Sequence, residues 1–190
     1  MIKKYSLLVL AVSFLTALLL FSGCGNDKAE EKADSAPKST STAAIAQGPG
    51  ARVGGQVPDF NLNLIDGGTL QLSSLRGKAV LLDFWDTWCP PCRAAMPHLE
   101  EISTTYQDDL VVVGIAFGRQ GQEAVVKFVK DYGLTFEFVM ADEKIATDFG
   151  GLQSIPTTFL VDENGIIVKK WVGGQSKAAY EDAVKAVLES

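Results

Sequence analysis

Cys89 and Cys92 stand three residues apart in the stretch Trp88-Cys89-Pro90-Pro91-Cys92. At the start of a helix this spacing puts both sulfurs on one side, close enough to make and break a disulfide with little backbone change. Unpaired N–H groups and the helix dipole favour a thiolate at that position. Cys89 is therefore the expected nucleophile, its thiol pKa drawn below the ordinary ~8.5. Cys92, one turn further in and more buried, is the expected resolving thiol, which breaks the mixed disulfide formed with a substrate. Three other uses of the pair fit less well. Structural zinc takes about four ligands, and beyond the first 24 residues only Cys89, Cys92 and His98 offer thiolate or imidazole. Haem attachment needs His after the second Cys, where Arg93 stands. A disulfide closing so short a loop adds little stability. Neither a metal nor a cofactor is expected.

The elements that must hold this pair can be read on either side of it. Ala79–Trp85 is a nearly continuous apolar run, as a buried central strand requires. Pro91 to Tyr106 reads as the following helix, with Pro97 inside it. Leu110–Phe117 reads as a second buried strand, Glu123–Tyr132 as a helix closed by Gly133, Thr135–Met140 as a strand, and Lys144–Phe149 as a short helix. Upstream, Phe60–Leu64 and Thr69–Leu72 alternate around Asp66-Gly67-Gly68, the pattern of a hairpin, and Ser73–Arg76 suits one helical turn. Downstream, Thr157–Val161 and Ile166–Val172 flank the turn Asp162-Glu163-Asn164-Gly165. Ser176–Leu188 is an amphipathic closing helix with Ser176 as its N-cap. This order predicts an α/β sandwich with a mixed central sheet, flanking helices and an N-terminal β-hairpin.

The 190 residues are 47% apolar, enough for one domain with a core but short for two. Residues 1–23 read as an export signal: Lys3 and Lys4, the apolar run Leu7–Phe21, then Ser22-Gly23 before Cys24. That run is shorter than the ~20 residues of a spanning helix. Phe21-Ser22-Gly23-Cys24 resembles a bacterial lipoprotein cleavage box, with Phe21 where Leu is usual, so Cys24 is the expected lipidation site. An ordinary cleaved secretory signal is the plainer alternative. Lipid on Cys24 leaves Cys89 and Cys92 as a pair and no odd thiol in an oxidising compartment. Residues 24–52 are rich in Ala, Ser, Lys, Glu and Gly, with Ile45 the one large aliphatic side chain among them. Such a segment cannot bury enough apolar surface to fold and reads as a flexible tether, with a typical span of ~30 Å. The domain is expected over residues 53–190. Without residues 1–23 the chain carries 15 basic and 23 acidic residues, net −8. Nucleic acid is excluded as a partner, since it requires basic patches.

Longer motifs carry a family resemblance. Asp83-Phe84-Trp85-Asp86-Thr87-Trp88-Cys89-Pro90-Pro91-Cys92, with Pro97 and the later Ile155-Pro156-Thr157, resembles the thioredoxin superfamily. Pro58-Asp59-Phe60, Leu75-Arg76-Gly77-Lys78 and Phe159-Leu160-Val161-Asp162-Glu163-Asn164-Gly165 are similar to its membrane-anchored TlpA/ResA-like branch, grouped with redoxin and AhpC/TSA domains. The resemblance implies a thioredoxin-like three-layer fold. It assigns Cys89 as nucleophile, Cys92 as resolving thiol, Pro156 as a cis-proline facing the dithiol, and Ile155 as a backbone partner for an extended substrate. Trp88, Pro90 and Pro91 would complete the substrate surface, with Trp85 as core. Asp83 matches a buried acid below the second Cys, where a raised pKa suits proton exchange with a thiol. Thioredoxins place a lysine near this acid from the next strand, and Val111–Phe117 contains none. Asp86 stands where Ala is usual and reads as an exposed acid that would disfavour the thiolate. Relatives serving cytochrome c maturation carry Glu at the positions of Ala95 and, in some, Thr157.

The expected function is thus thiol–disulfide exchange with protein thiols and disulfides, mainly as a reductase, by a monomer lipid-anchored through Cys24 in the bacterial cell envelope. A membrane or soluble thiol would supply electrons. Two rivals remain on sequence alone. A peroxiredoxin-like peroxidase would share the Pro-Asp-Phe and Arg-Gly-Lys features, but its Pro-x-x-x-Thr-x-x-Cys nucleophile motif is missing around Cys89. A non-catalytic binding module would not need an intact Cys pair.

Overall fold

The computed structural model describes residues 50–190. The expected signal 1–23, the lipidation residue Cys24 and the tether as far as residue 49 lie outside the described residues. Ala51 is already buried against the core, so packing begins ahead of Val53.

Runs of mainly apolar residues, rich in Val and Leu, make the central strands. β3 (Ala79–Trp85) and β4 (Leu110–Ala116) are buried along nearly their whole length. They pair in parallel, and β5 (Glu137–Met140) adds to β4 in parallel. On the other side β6 (Thr157–Val161) runs antiparallel to β3, and β7 (Ile167–Val172) antiparallel to β6. The order β5-β4-β3-β6-β7 puts β3 at the centre. The short strands β1 (Asn61–Asn63) and β2 (Thr69–Gln71) form a separate hairpin.

Alternation along the strands sorts two cores. Leu81 and Trp85 of β3, Val112 of β4 and Leu160 of β6 face a layer built by α1 (Pro90–Thr105), α2 (Gln122–Tyr132) and α4 (Lys177–Leu188). Val80, Leu82 and Phe84, with Phe159 and Val161, face the hairpin side chains and α3 (Ile145–Asp148). The architecture is the thioredoxin-like α/β sandwich. One glycine makes the first layer possible: a Cβ on Gly114 would meet the Phe138 ring at 2.7 Å and Trp85 Nε1 at 3.0 Å.

Some boundaries differ from expectation for local reasons. The hairpin strands are shorter than the alternation suggested, because Leu72 leaves the ladder to begin a 3-10 turn, Leu72–Leu75. β5 starts at Glu137 instead of Thr135, whose N–H and hydroxyl are both taken by the Glu100 carboxylate, at 2.7 and 2.5 Å. α1 begins one residue early, at Pro90, since proline suits the first helical turn.

Candidate active site

The end of β3 and the start of α1 place the two cysteines. Cys89 is the N-cap of α1 and extended (φ −89°, ψ 106°). Its sulfur accepts the Cys92 N–H at 3.3 Å. Pro90 and Pro91 fill the first two helical positions and have no N–H to offer. Cys89 and Cys92 form a disulfide with their Cα atoms 5.3 Å apart. Both are buried, Cys92 completely and Cys89 to 2% exposure.

The Ile155–Pro156 bond is cis, and it ends the loop that leads into β6. The Ile155 carbonyl oxygen lies 3.7 Å from Cys89 Sγ. Trp88, just before the dithiol, is 45% exposed, whereas Trp85 is fully buried. The structure therefore brings Cys89, Cys92, Trp88, Pro90, Pro91, Ile155 and Pro156 to one corner of the domain.

Asp83 sits one layer below. It alternates with Leu81 and Trp85, so it faces the layer that holds Cys92 and α4. Its strand neighbours are Gly114 on β4 and Thr158 on β6. The Thr158 hydroxyl donates to Asp83 Oδ1 at 2.7 Å, and the Tyr180 hydroxyl of α4 lies 3.1 Å from Thr158 Oγ1. Thr158 has one proton to give, so when it serves an ionised Asp83 it accepts from Tyr180. Asp83 Oδ2 has no partner among the described residues. Burial pushes the carboxyl up to about 7, against the smaller opposing effect of the Thr158 bond. Burial also raises the Tyr180 hydroxyl above its ordinary value.

The structure corrects the reading of Asp86 as an exposed acid. Asp86 is fully buried. Its carboxylate accepts from the Thr87 N–H at 2.7 Å and the Arg119 N–H at 3.0 Å, and its Oδ1 lies 3.3 Å from the Thr87 hydroxyl oxygen. Donors from two loops replace water, which makes burial of the charge tolerable. Its effect is to tie the loop carrying Trp88 and Cys89 to the loop after β4. Thr87 reinforces that tie through Gln120 Oε1, at 2.8 Å. Ala95 and Thr157 are also buried, and the Thr157 hydroxyl is spent on the Ser154 carbonyl at 2.8 Å.

Thr158, Tyr180 and Arg119 went unrecognised in the sequence. Thr158 carried a weak signal, two residues after Pro156 on the strand that had to pair with β3. Tyr180 looked like one more apolar position of the closing helix. Arg119 lies in a loop with no motif of its own.

Comparison with known proteins agrees with this geometry. The model of the AhpC/TSA family matches residues 53–170. The thiol-disulfide oxidoreductase ResA of Halalkalibacterium halodurans is 35% identical over 137 residues, covering 72% of this chain and 78% of that protein. The thioredoxin-like protein YneN of Bacillus subtilis is 38% identical over 134 residues, 70% of this chain and 78% of the relative. Among solved structures, a thiol:disulfide interchange protein of the thioredoxin family from Chlorobium tepidum superposes with a TM-score of 0.66 at 31% identity. It covers 75% of this chain and 99% of its own.

Proposed function

The chain belongs to the AhpC/TSA family and is a thiol–disulfide oxidoreductase of the ResA type, and on that premise we propose that it works as a lipid-anchored, extracytoplasmic reductase of protein disulfides. The observation that carries the reading is the Cys89–Cys92 disulfide at the helix start, set against the Ile155 carbonyl.

In the reduced protein the Cys89 thiolate attacks one sulfur of a substrate disulfide. The substrate S–S bond breaks, and its departing thiolate takes a proton. Cys92 then gives its proton to the Asp83 carboxylate and attacks Cys89 Sγ. The second substrate thiolate leaves, and the protein holds the Cys89–Cys92 disulfide. Two electrons have passed to the substrate, and a thiol donor must restore the dithiol. An acid near 7 is ionised often enough at neutral pH to take that proton and weak enough to return it. Trp88, Pro90 and Pro91 offer the surface on which the substrate rests. The Ile155 backbone offers it a strand-like edge.

The direction follows from the two prolines. With no N–H at positions 90 and 91, the Cys92 N–H alone among the first helical residues reaches the Cys89 sulfur. Weaker support of the thiolate makes the reduced form less stable and the couple more reducing. Residues 1–23 would direct export, lipid on Cys24 would hold the protein to a membrane, and residues 24–52 would let a monomeric domain reach its partners.

The test is trapping in the native cell. A Cys92→Ala chain should accumulate disulfide-linked envelope proteins through Cys89, and a Cys89→Ser/Cys92→Ala chain should accumulate none. Absence of adducts in the single variant would contradict the exchange function. A Cys24→Ser chain should leave the membrane fraction.

A further inference from the structure

We propose that Arg119 is the specificity-determining residue of the groove beside the dithiol, and that it selects substrate segments carrying a carboxylate next to the reactive cysteine. This rests on the exchange reading above.

A groove of about 370 Å³ runs between the loop after β3 and the loop before β6, lined among others by Trp88, Phe117, Leu152 and Ile155. The Ile155 carbonyl is 3.7 Å from Cys89 Sγ, so a segment that delivers its disulfide to Cys89 passes along these walls. Half of the lining residues are apolar, Gln153 and Ser154 are polar and uncharged, and the charged side chains are Asp86 and Arg119. The Asp86 carboxylate is fully buried and held by the Thr87 and Arg119 main-chain N–H groups, which keeps it out of a substrate's reach.

Arg119 is in the opposite condition. Its main-chain N–H is held by Asp86 at 3.0 Å, so its backbone is fixed relative to the dithiol loop. Its side chain is exposed, with the guanidinium carbon 5.4 Å from the Trp88 ring centroid. A ring face steadies a guanidinium while its in-plane N–H donors stay available to a carboxylate. The ion pairs among the described residues, Lys127–Asp131, Lys144–Asp148, Lys177–Glu101 and Lys185–Glu181, all lie elsewhere. A segment in the groove therefore meets apolar side chains and one uncommitted cation, on a chain of net charge −6. Repulsion from the distant acids is screened beyond roughly 8 Å at physiological salt, whereas Arg119 acts at contact.

The experiment uses the reduced full-length protein and three disulfide peptides identical except for Glu, Gln or Lys two residues from the cysteine. The expected order of kcat/KM is Glu, Gln, Lys, about threefold per step at low salt, as an exposed ion pair gives. The difference should sit in KM and shrink as salt rises. Arg119→Glu should reverse the order, and Arg119→Lys should keep it. Equal turnover of the three peptides by the native protein, or an unchanged order in Arg119→Glu, would overturn the proposal alone. Turnover of none of them would overturn the exchange reading and the proposal with it.

Discussion

The same two strands show opposite characters on their two faces. Toward the hairpin, Phe84 of β3 and Phe159 of β6 pack with Phe149, ring centroids 4.9 to 5.9 Å apart. One residue along each strand, Asp83 and Thr158 turn to the other face, beneath α1 and α4, and make a buried polar pair. The first face holds the sheet together. The second carries a carboxyl with one oxygen unpartnered, an arrangement that costs stability and that packing alone would not select. A buried group of this kind suits the proton transfer proposed for Asp83.

Mutations should separate the two faces. The largest effect is functional. Cys89→Ser should abolish disulfide exchange, while its unfolding free energy stays within about 1 kcal/mol of the reduced native protein, measured by denaturant titration. On the aromatic face, Phe159→Ala should cost about 3–5 kcal/mol of stability and leave the exchange rate of the folded protein unchanged. Asp83→Asn should do the reverse. The folded-state pKa of about 7 lies above the ordinary carboxyl value of 3.8, so folding retains a proton that the unfolded chain releases. Stability of the native protein therefore falls as pH rises from about 4 to 7 and then levels off. Asp83→Asn should be more stable by up to about 4 kcal/mol at pH 8, with the gain gone below pH 4, yet slower in exchange by about 10²-fold. The smallest effect belongs to Thr158→Val. It removes the bond that lowers the Asp83 pKa, so the pH midpoint of exchange should move above about 7, at a stability cost of about 1 kcal/mol.

Much of the frame was legible in the sequence because its signals are local. The apolar run at Ala79–Trp85, the turn residues at Asp66–Gly68 and Asp162–Gly165 and the Ser176 cap each act within a few residues. The dithiol was legible for the same reason. What escaped depends on contacts between distant segments. Asp86 looked like a solvated acid because one of its donors, the Arg119 N–H, comes from 33 residues away. The Thr158–Tyr180 contact exists only once α4 closes over the sheet. The shortened β5 reflects a competing side chain, Glu100, on another element.

The proposed reductase role requires Cys89 and Cys92 to form a reducing couple, with two prolines withholding N–H groups from the thiolate. It is tested most directly by equilibrating the protein with graded thiol–disulfide buffers and reading the fraction of Cys89–Cys92 disulfide. The expected midpoint potential is near or below the thioredoxin value of about −270 mV. A midpoint near the strongly oxidising value of about −120 mV would contradict it.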